Sequence, residues 1–346
     1  MHLRLWSTLP VVLTMLAVSF AGCTPKTENT ASSNAGGVNT ASGNLPGQSP
    51  TGTSTANPTF ALCPKATNNP YFNLVQQGAN EEAARLGLPK PLWIGSTEAD
   101  AGKQVAMIND LITRGVQGIG ISPNAPDTVN SVIAHAMQKK ISVITFDADA
   151  PKSQRIAYIG TDNFAAGKRA GAEMARELGG KGDVLIVTGG LGAFNLNERI
   201  RGFQEGIKGS GVKVASTQAC DDDQAKAHRI IQDYLLAHPD TAGVFAAGLW
   251  AVLPAGQILK QKGQAGKVKV VGFDTLPEEM ALVKDGSVQV LVGQRPYEMG
   301  RRSIQVLNDL QKGKQPEKAI IDTGTDVVTS ANVDQFLKGS AKPGRG

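Results

Sequence analysis

The sequence predicts an α/β protein built as two similar lobes in series, each a parallel sheet faced by helices. Three observations carry this. Short β-branched and aromatic runs alternate with amphipathic helical patterns from Phe60 to Gly160, the signature of βαβ units. The alternation starts afresh at Asp183 and continues to Val292. The stretch from residue 59 to residue 338 is longer than one hydrophobic core usually serves.

The chain begins with an export signal. His2 and Arg4 precede an apolar run from Leu9 to Phe20, too short for a membrane-spanning helix, and Ala21, Gly22 and Cys23 follow. Residues 1–22 read as a signal peptide. Small residues before a cysteine are similar to the bacterial lipobox, although Phe20 stands where a smaller aliphatic is more usual, and they predict cleavage before Cys23 and lipidation of its thiol. The alternative is an ordinary secretory signal with an incidental cysteine. From Thr24 to Pro58 the chain is dominated by Thr, Ser, Asn, Gly, Pro and Ala, too polar to bury a core. Residues 23–58 are therefore expected to be a lipidated cysteine and a disordered tether, with a reach of roughly 30–35 Å.

The formal net charge of +5 falls to +4 when the leader's one charged residue, Arg4, is removed. Positive residues are dispersed and form no basic cluster interleaved with aromatics, so nucleic acid is not expected as a partner. Cys63 and Cys220 each lie among residues that read as packed strand and are expected as separate buried thiols, a disulfide between them being the alternative. No His/Cys/Asp/Glu cluster has metal-ligand spacing and no Ser/His/Asp arrangement is suggested, so neither metal nor cofactor nor enzymatic activity is expected.

In order, Phe60–Cys63 reads as the first strand. Asn69 caps a helix that opens at Pro70 and stops at Gly87, which puts Tyr71 and Phe72 on its first turn. Strands at 92–94, 118–121 and 142–146 alternate with helices at 102–114 and 128–139. A strand at 155–160 leads into a helix opened by Asp162 and Asn163. The second series has strands at 183–187, 212–217, 243–246, 268–272 and 287–292. Helices at 197–207, 224–237, 251–262 and 277–284 alternate with them. A helix at 296–310 and strands at 319–322 and 325–328 close the chain. Gly189-Gly190-Leu191-Gly192 looks like a phosphate loop, but Asn195 stands where the third glycine belongs and no Lys-Ser/Thr follows, so it reads as a turn.

The stretch Val143–Ala150 ends an apolar strand at two carboxylates, Asp147 and Asp149. Ligands of parallel α/β sheets bind beyond the carboxyl ends of the strands, so acceptors there are candidate contacts. In extended chain the two would point the same way. Capping of the following structure is the competing role for either. Asp221-Asp222-Asp223 reads as a solvated loop.

Six blocks occur in order: Asn69-Pro70-Tyr71-Phe72, Val143–Ala150, Tyr158–Asn163, Arg199–Phe203, Val271–Asp274 and Gly293–Tyr297. Together they resemble the periplasmic sugar-binding proteins of the ribose/galactose type that serve ABC transporters. Gly248-Leu249-Trp250, Gly293–Tyr297 and Ile321–Thr329 look most like a thermophile glucose-binding branch. The resemblance spans residue 59 to about residue 338. It implies the periplasmic-binding-protein-like I fold: two Rossmann-like lobes, a hinge of three crossing strands, and a ligand in the interlobe cleft. The crossings fall near Ile159–Asn163, Gly293–Arg295 and Asp322–Asp326. The N-terminal lobe is then 59–161 plus 295–322, the C-terminal lobe 162–294 plus 323–338, and 339–346 a tail.

The resemblance carries ligand contacts onto Asn69, Tyr71, Phe72, Asp147, Arg199, Asp274 and Gln294, with Asn195 beside them. Of Tyr71 and Phe72 one is expected in the core, Tyr71 being the better cleft wall. Where the ribose pattern has an arginine, an aromatic and an asparagine, Ala148, Asp222 and Gly248 stand here. That argues against ribose. It leaves Asp149 to supply a polar group and Trp250 a stacking face, with room for a six-carbon sugar. Carboxylates, amides and an arginine fork suit vicinal hydroxyls, and an aromatic ring suits the C–H face. The implied partners are a monosaccharide, an ABC permease with its ATPase, and the membrane through the lipid, at the periplasmic face of the cell envelope. A monomer is expected. A sensor presenting the sugar to a chemoreceptor or histidine kinase is the alternative role.

Overall fold

The computed structural model describes residues 58–338. The expected export signal, Cys23, the expected tether to residue 57 and the expected tail 339–346 lie outside the described residues. β1 (Phe60–Cys63) is apolar and wholly buried, as a central parallel strand must be. It is followed by α1 (Tyr71–Arg85), β2 (Leu92–Trp93), α2 (Ala101–Thr113), β3 (Gly118–Ile121), α3 (Asn130–Gln138), β4 (Ser142–Phe146) and β5 (Tyr158–Gly160). The second series is α4 (Asn163–Glu177), β6 (Lys181–Thr188), α5 (Phe194–Gly206), β7 (Gly211–Ala219), α6 (Gln224–Ala237), β8 (Gly243–Ala246), α7 (Leu249–Gln261), β9 (Lys269–Phe273), α8 (Pro277–Lys284) and β10 (Val290–Gly293). The chain closes with α9 (Pro296–Gln311), β11 (Ile320–Asp322), β12 (Asp326–Thr329) and α10 (Val333–Leu337).

These strands form two six-stranded sheets, ordered β11-β5-β4-β3-β1-β2 and β12-β10-β9-β8-β6-β7. Every pairing is parallel except β10 with β12, an antiparallel edge. The chain passes between sheets three times: between Gly160 and Asn163, between Gly293 and Pro296, and between Asp322 and Asp326. The crossings are tied to one another. One carboxylate oxygen of Asp322 accepts the Asp162 N–H at 3.2 Å and the Gly324 N–H at 2.9 Å, and Arg295 pairs with Asp326 at 2.8 Å.

Helix contacts fix where the site's second-lobe residues stand. α4 and α5 touch backbone to backbone: a Cβ on Gly167 would lie 2.2 Å from the Arg199 carbonyl oxygen, and one on Gly202 2.1 Å from that of Phe164. Only glycine permits that approach, and it locks α5, with its polar first two turns, against the crossing helix. The core of the second lobe is one cluster around Val184–Val187, Phe203 and Phe245. The first sheet has a cluster on each face, one around Ile108 and Ile119, the other around Leu62, Phe146 and Met299.

Three boundaries differ from the sequence reading and matter below. α5 begins at Phe194 rather than Asn197, so Asn195 lies on its first turn. α7 begins at Leu249 rather than Ala251, which brings Trp250 onto a first turn. Arg155 lies outside β5, its side chain being engaged elsewhere. Among the described residues no helix is long and apolar enough to cross a membrane.

Candidate functional site

The carboxyl ends of both sheets face one cavity of about 190 Å³, lined from the first lobe by Lys65, Asn69, Tyr71, Phe72 and Asp147. From the second come Asn195, Arg199, Asp222, Gly248, Trp250, Asp274 and Gln294. Almost every one follows a strand directly or stands on the first turns of the next helix, the place where parallel sheets leave backbone and side chains free of the ladder.

In the first lobe, Asn69 accepts the Tyr71 N–H at 3.0 Å and so fixes the start of α1. Tyr71 and Phe72 meet edge to face, 5.2 Å between centroids, and both are buried while bordering the cavity. The expectation that one would be core and the other cleft is thus replaced by two rings serving both. The Tyr71 hydroxyl turns inward to the Met299 sulfur at 3.2 Å and presents the cavity with ring rather than oxygen. Asp147, straight after β4, has a left-handed backbone with φ 59°, a conformation that non-glycine residues keep only where the surroundings enforce it. The Ser122 hydroxyl donates to its Oδ2 at 2.6 Å, and Lys65 Nζ stands 3.9 Å from the same oxygen.

That left-handed turn removes Asp149 from the site. The prediction that Asp147 and Asp149 point the same way holds only for extended chain, and the chain here is not extended. Asp149 is gripped by Arg155 through two contacts of 2.5 Å, accepts the Thr145 hydroxyl at 2.7 Å and its neighbour's N–H at 2.8 Å, and does not border the cavity. It locks the loop after β4.

In the second lobe, Asn195 Oδ1 accepts from Lys65 Nζ at 2.8 Å, a hydrogen bond across the cleft. Arg199, one turn on and 2% exposed, donates to Asn163 Oδ1 and to the Ala247 carbonyl, both at 2.8 Å, with its guanidinium 4.2 Å above the Phe273 ring. Its Nη2 is buried without a hydrogen-bond partner. Asp274 follows β9 with φ 77° and accepts from Gln294 Nε2 at 2.9 Å, leaving Gln294 Oε1 unpartnered. Burial raises the Asp274 carboxyl above the usual range, and Arg199 and Gln294 pull it back. The start of α8 is served instead by Glu279, which accepts the Leu276 N–H at 2.7 Å. Trp250 lies over Gly248, where a Cβ would sit 2.5 Å from the indole.

The aspartate run is not simply solvated. Asp221 pairs with Lys226 and Asp223 caps α6 through the Lys226 N–H, but Asp222 turns into the cavity with φ 60° and a buried, unpartnered Oδ1. Burial raises its carboxyl, and Lys65 opposes the rise. Lys65 and Asp222 are the site residues that sequence reading missed. For Lys65 the signal was present: a charge just beyond the end of an apolar strand, two residues past β1 where Asp147 is one past β4. Among the described residues no cluster is placed to hold a metal ion. Cys63 and Cys220 are free and buried, both thiols pushed up to about 12 by burial.

A periplasmic binding protein domain model matches residues 60–315. The ribose import binding protein RbsB of Salmonella typhimurium is 34% identical over 260 residues, covering 75% of this chain and 87% of that protein. This chain belongs to the type I periplasmic sugar-binding proteins. It is a solute-binding protein of the ABC-transporter kind, and its relatives are binding proteins rather than enzymes. Among periplasmic binding proteins of known structure, an ABC transporter solute-binding protein from Burkholderia graminis in complex with D-arabinose superposes with TM-score 0.78 at 38% identity, covering 81% of this chain and 98% of that one. GanP, a glucose-galactose binding protein from Geobacillus stearothermophilus, gives 0.77 at 29% identity, covering 80% and 99%. The two-lobe fold expected for periplasmic binding proteins is the fold observed.

Proposed function

We propose that this protein is the substrate-binding lipoprotein of a sugar ABC importer and that its ligand includes a monosaccharide unit, a glucose-like hexose being favoured. One observation carries the reading: three buried polar atoms from separate elements, Arg199 Nη2, Asp222 Oδ1 and Gln294 Oε1, lack protein partners and belong to residues lining a single cavity. A donor and two acceptors so placed, between the Tyr71, Phe72 and Trp250 rings, suit a polyhydroxylated ring with apolar C–H faces. The cavity, about 190 Å³, is smaller than the ~300–1,000 Å³ of drug-sized sites. A hexose is supported by the absence of a side chain at Gly248, which leaves the Trp250 ring as the wall there. Asn69, Asp147, Asn195 and Asp274 complete the contact set. Closure about the three crossings traps the sugar, and the closed form docks on a membrane permease with its ATPase. The body acts as a monomer at the periplasmic face, with lobes 59–161 plus 295–322 and 162–294 plus 323–338, held by lipid on Cys23 through the tether.

Thermal-shift screening of aldohexoses, pentoses, deoxysugars and inositols, followed by calorimetry, tests the ligand. A true ligand at a hundred times its Kd stabilises by about 2.7 kcal/mol. No shift with any of them sinks the reading, and turnover of a bound sugar overturns the non-enzymatic role. Cys23→Ala is expected to release the protein from the membrane fraction. A role that presents the ligand to a partner protein other than a permease has one observation in its favour: a neighbour at 29% identity and TM-score 0.75 was solved as an XylFII-LytSN complex.

A further inference from the structure

The sugar cavity does not end at its own walls. A second crevice of about 320 Å³ adjoins it between the lobes and shares Lys65, Asp221 and Asp222 with it. Beyond the shared residues its walls are mostly short, Ala101 and Ala125 on the first lobe and Gly190, Gly192 and Ala193 on the second, with Asn124 the one larger side chain. We propose that this crevice is a second subsite, which takes the second ring of a disaccharide or the aglycone of a glycoside whose first ring occupies the main cavity. The proposal rests on the sugar-binding reading above and extends its substrate class.

The junction between the two spaces is polar and built. Asp222 reaches it only because the facing residue is Gly189: a Cβ there would lie 1.7 Å from Asp222 Oδ1. That oxygen is buried against Gly189 without a hydrogen-bond partner, and its carboxylate, which the Gly190 N–H also stabilises, borders both spaces. On the opposite side Lys65 Nζ donates to Asn195 and has further N–H groups to offer. Asp221 is held by Lys226, while Lys65 faces both Asp147 and Asp222, so the junction is net acidic and disfavours an acidic sugar there. A bare monosaccharide fills the main cavity and leaves the crevice to water. Ala125 and Gly192 approach each other, a Cβ on Gly192 lying 3.9 Å from that of Ala125, so the second ring sits toward the open Gly190 side, where a Cβ would have nothing within 4 Å.

The test uses the full chain and calorimetric Kd values for D-glucose, D-galactose, their methyl α- and β-glycosides, maltose, cellobiose, gentiobiose, lactose and melibiose. At least one glycoside or disaccharide is expected to bind within tenfold of the better monosaccharide. Two variants fill the crevice from opposite walls, Ala125→Phe and Gly190→Phe; a Cβ at Gly190 meets nothing within 4 Å, so the second is compatible with the fold. Each is expected to weaken the disaccharide more than tenfold and the monosaccharide less than threefold. If the monosaccharides bind and every glycoside is more than tenfold weaker, the subsite is wrong and the sugar reading stands. Equal loss of both ligand classes in the two variants also overturns the subsite. If none of these sugars binds, this proposal falls together with the glucose-like reading beneath it.

Discussion

Lys65 of the first lobe donates a hydrogen bond to Asn195 Oδ1 of the second at 2.8 Å, with the carboxylate of Asp147 3.9 Å from the same ammonium. The lysine thus touches both halves of the protein at the point where they face each other. It is also the cation that offsets Asp147 and Asp222 inside the cleft.

Removing that charge is expected to be costly for the ligand. Lys65→Met leaves two buried carboxylates without their ammonium and ends the cross-cleft bond. Hydrogen bonds to charged groups contribute about 1.5–3 kcal/mol, so sugar affinity should fall roughly ten- to a hundredfold. Calorimetry on the ligand found by screening checks this, and unchanged affinity would take Lys65 out of the site.

Asp147 separates into charge and conformation. Asp147→Asn tolerates the left-handed backbone but loses the carboxylate, and Asp147→Ala loses both. Sugar affinity should fall by about 2–4 kcal/mol in the alanine variant. The alanine variant should also be less stable than the asparagine variant by about 1–2 kcal/mol, the usual cost of forcing an ordinary residue left-handed. Urea unfolding beside calorimetry distinguishes the two effects.

Asp149 and Arg155 should behave in the opposite sense. Their side chains are 7% and 9% exposed, and breaking one partner of a buried pair destabilises by about 3–5 kcal/mol. Arg155→Ala is therefore expected to lower the unfolding midpoint strongly and to leave sugar Kd within a few-fold. A large affinity change with normal stability would restore Asp149 to the ligand.

Gly248→Ala places a Cβ where the Trp250 indole lies, 2.5 Å away. The ring must move, so ligand affinity should fall at least tenfold and the tryptophan emission should shift. A variant that binds normally would show that the Trp250 wall is not part of recognition.

Glu279 supplies a pH test. It is fully buried, and burial, reinforced by the charge of Asp274, raises its carboxyl well above the usual range. The folded chain then holds this proton at pH values where the unfolded chain, near the ordinary 4.3, has lost it. Its contribution is fully present below that ordinary value and is lost as pH rises through the raised one, at up to about 1.4 kcal/mol per pH unit. Glu279→Gln keeps an oxygen for the Leu276 N–H and removes the titration. The stability difference, variant minus wild type, should grow as pH is raised from 5 upward; a constant difference from pH 5 to 9 would refute the assignment.

Much of the scaffold was legible because βα alternation is a local property. Apolar runs of four or five residues, glycine stops and helix caps are written in consecutive residues, and Asp147, Asp274 and Gln294 fall where such local elements end. Boundaries were less legible: α5 starts three residues early, and that shift puts Asn195 within reach of Lys65. Lys65 itself was overlooked because one lysine beyond a strand looks like a solvated surface charge until the opposite lobe covers it.

By itself the sequence determined the two α/β series, the order of their elements and the family blocks strung along them, since each depends on neighbours within a few residues. Only the tertiary structure decided which of the paired aspartates faces the cleft. Asp147 and Asp149 are equivalent in an extended strand, but the left-handed turn at Asp147 and the claim of Arg155 on its neighbour send the two carboxylates to different places. Asp222 was decided the same way, by a glycine 33 positions earlier in the chain whose missing side chain leaves room for a carboxylate at the cleft.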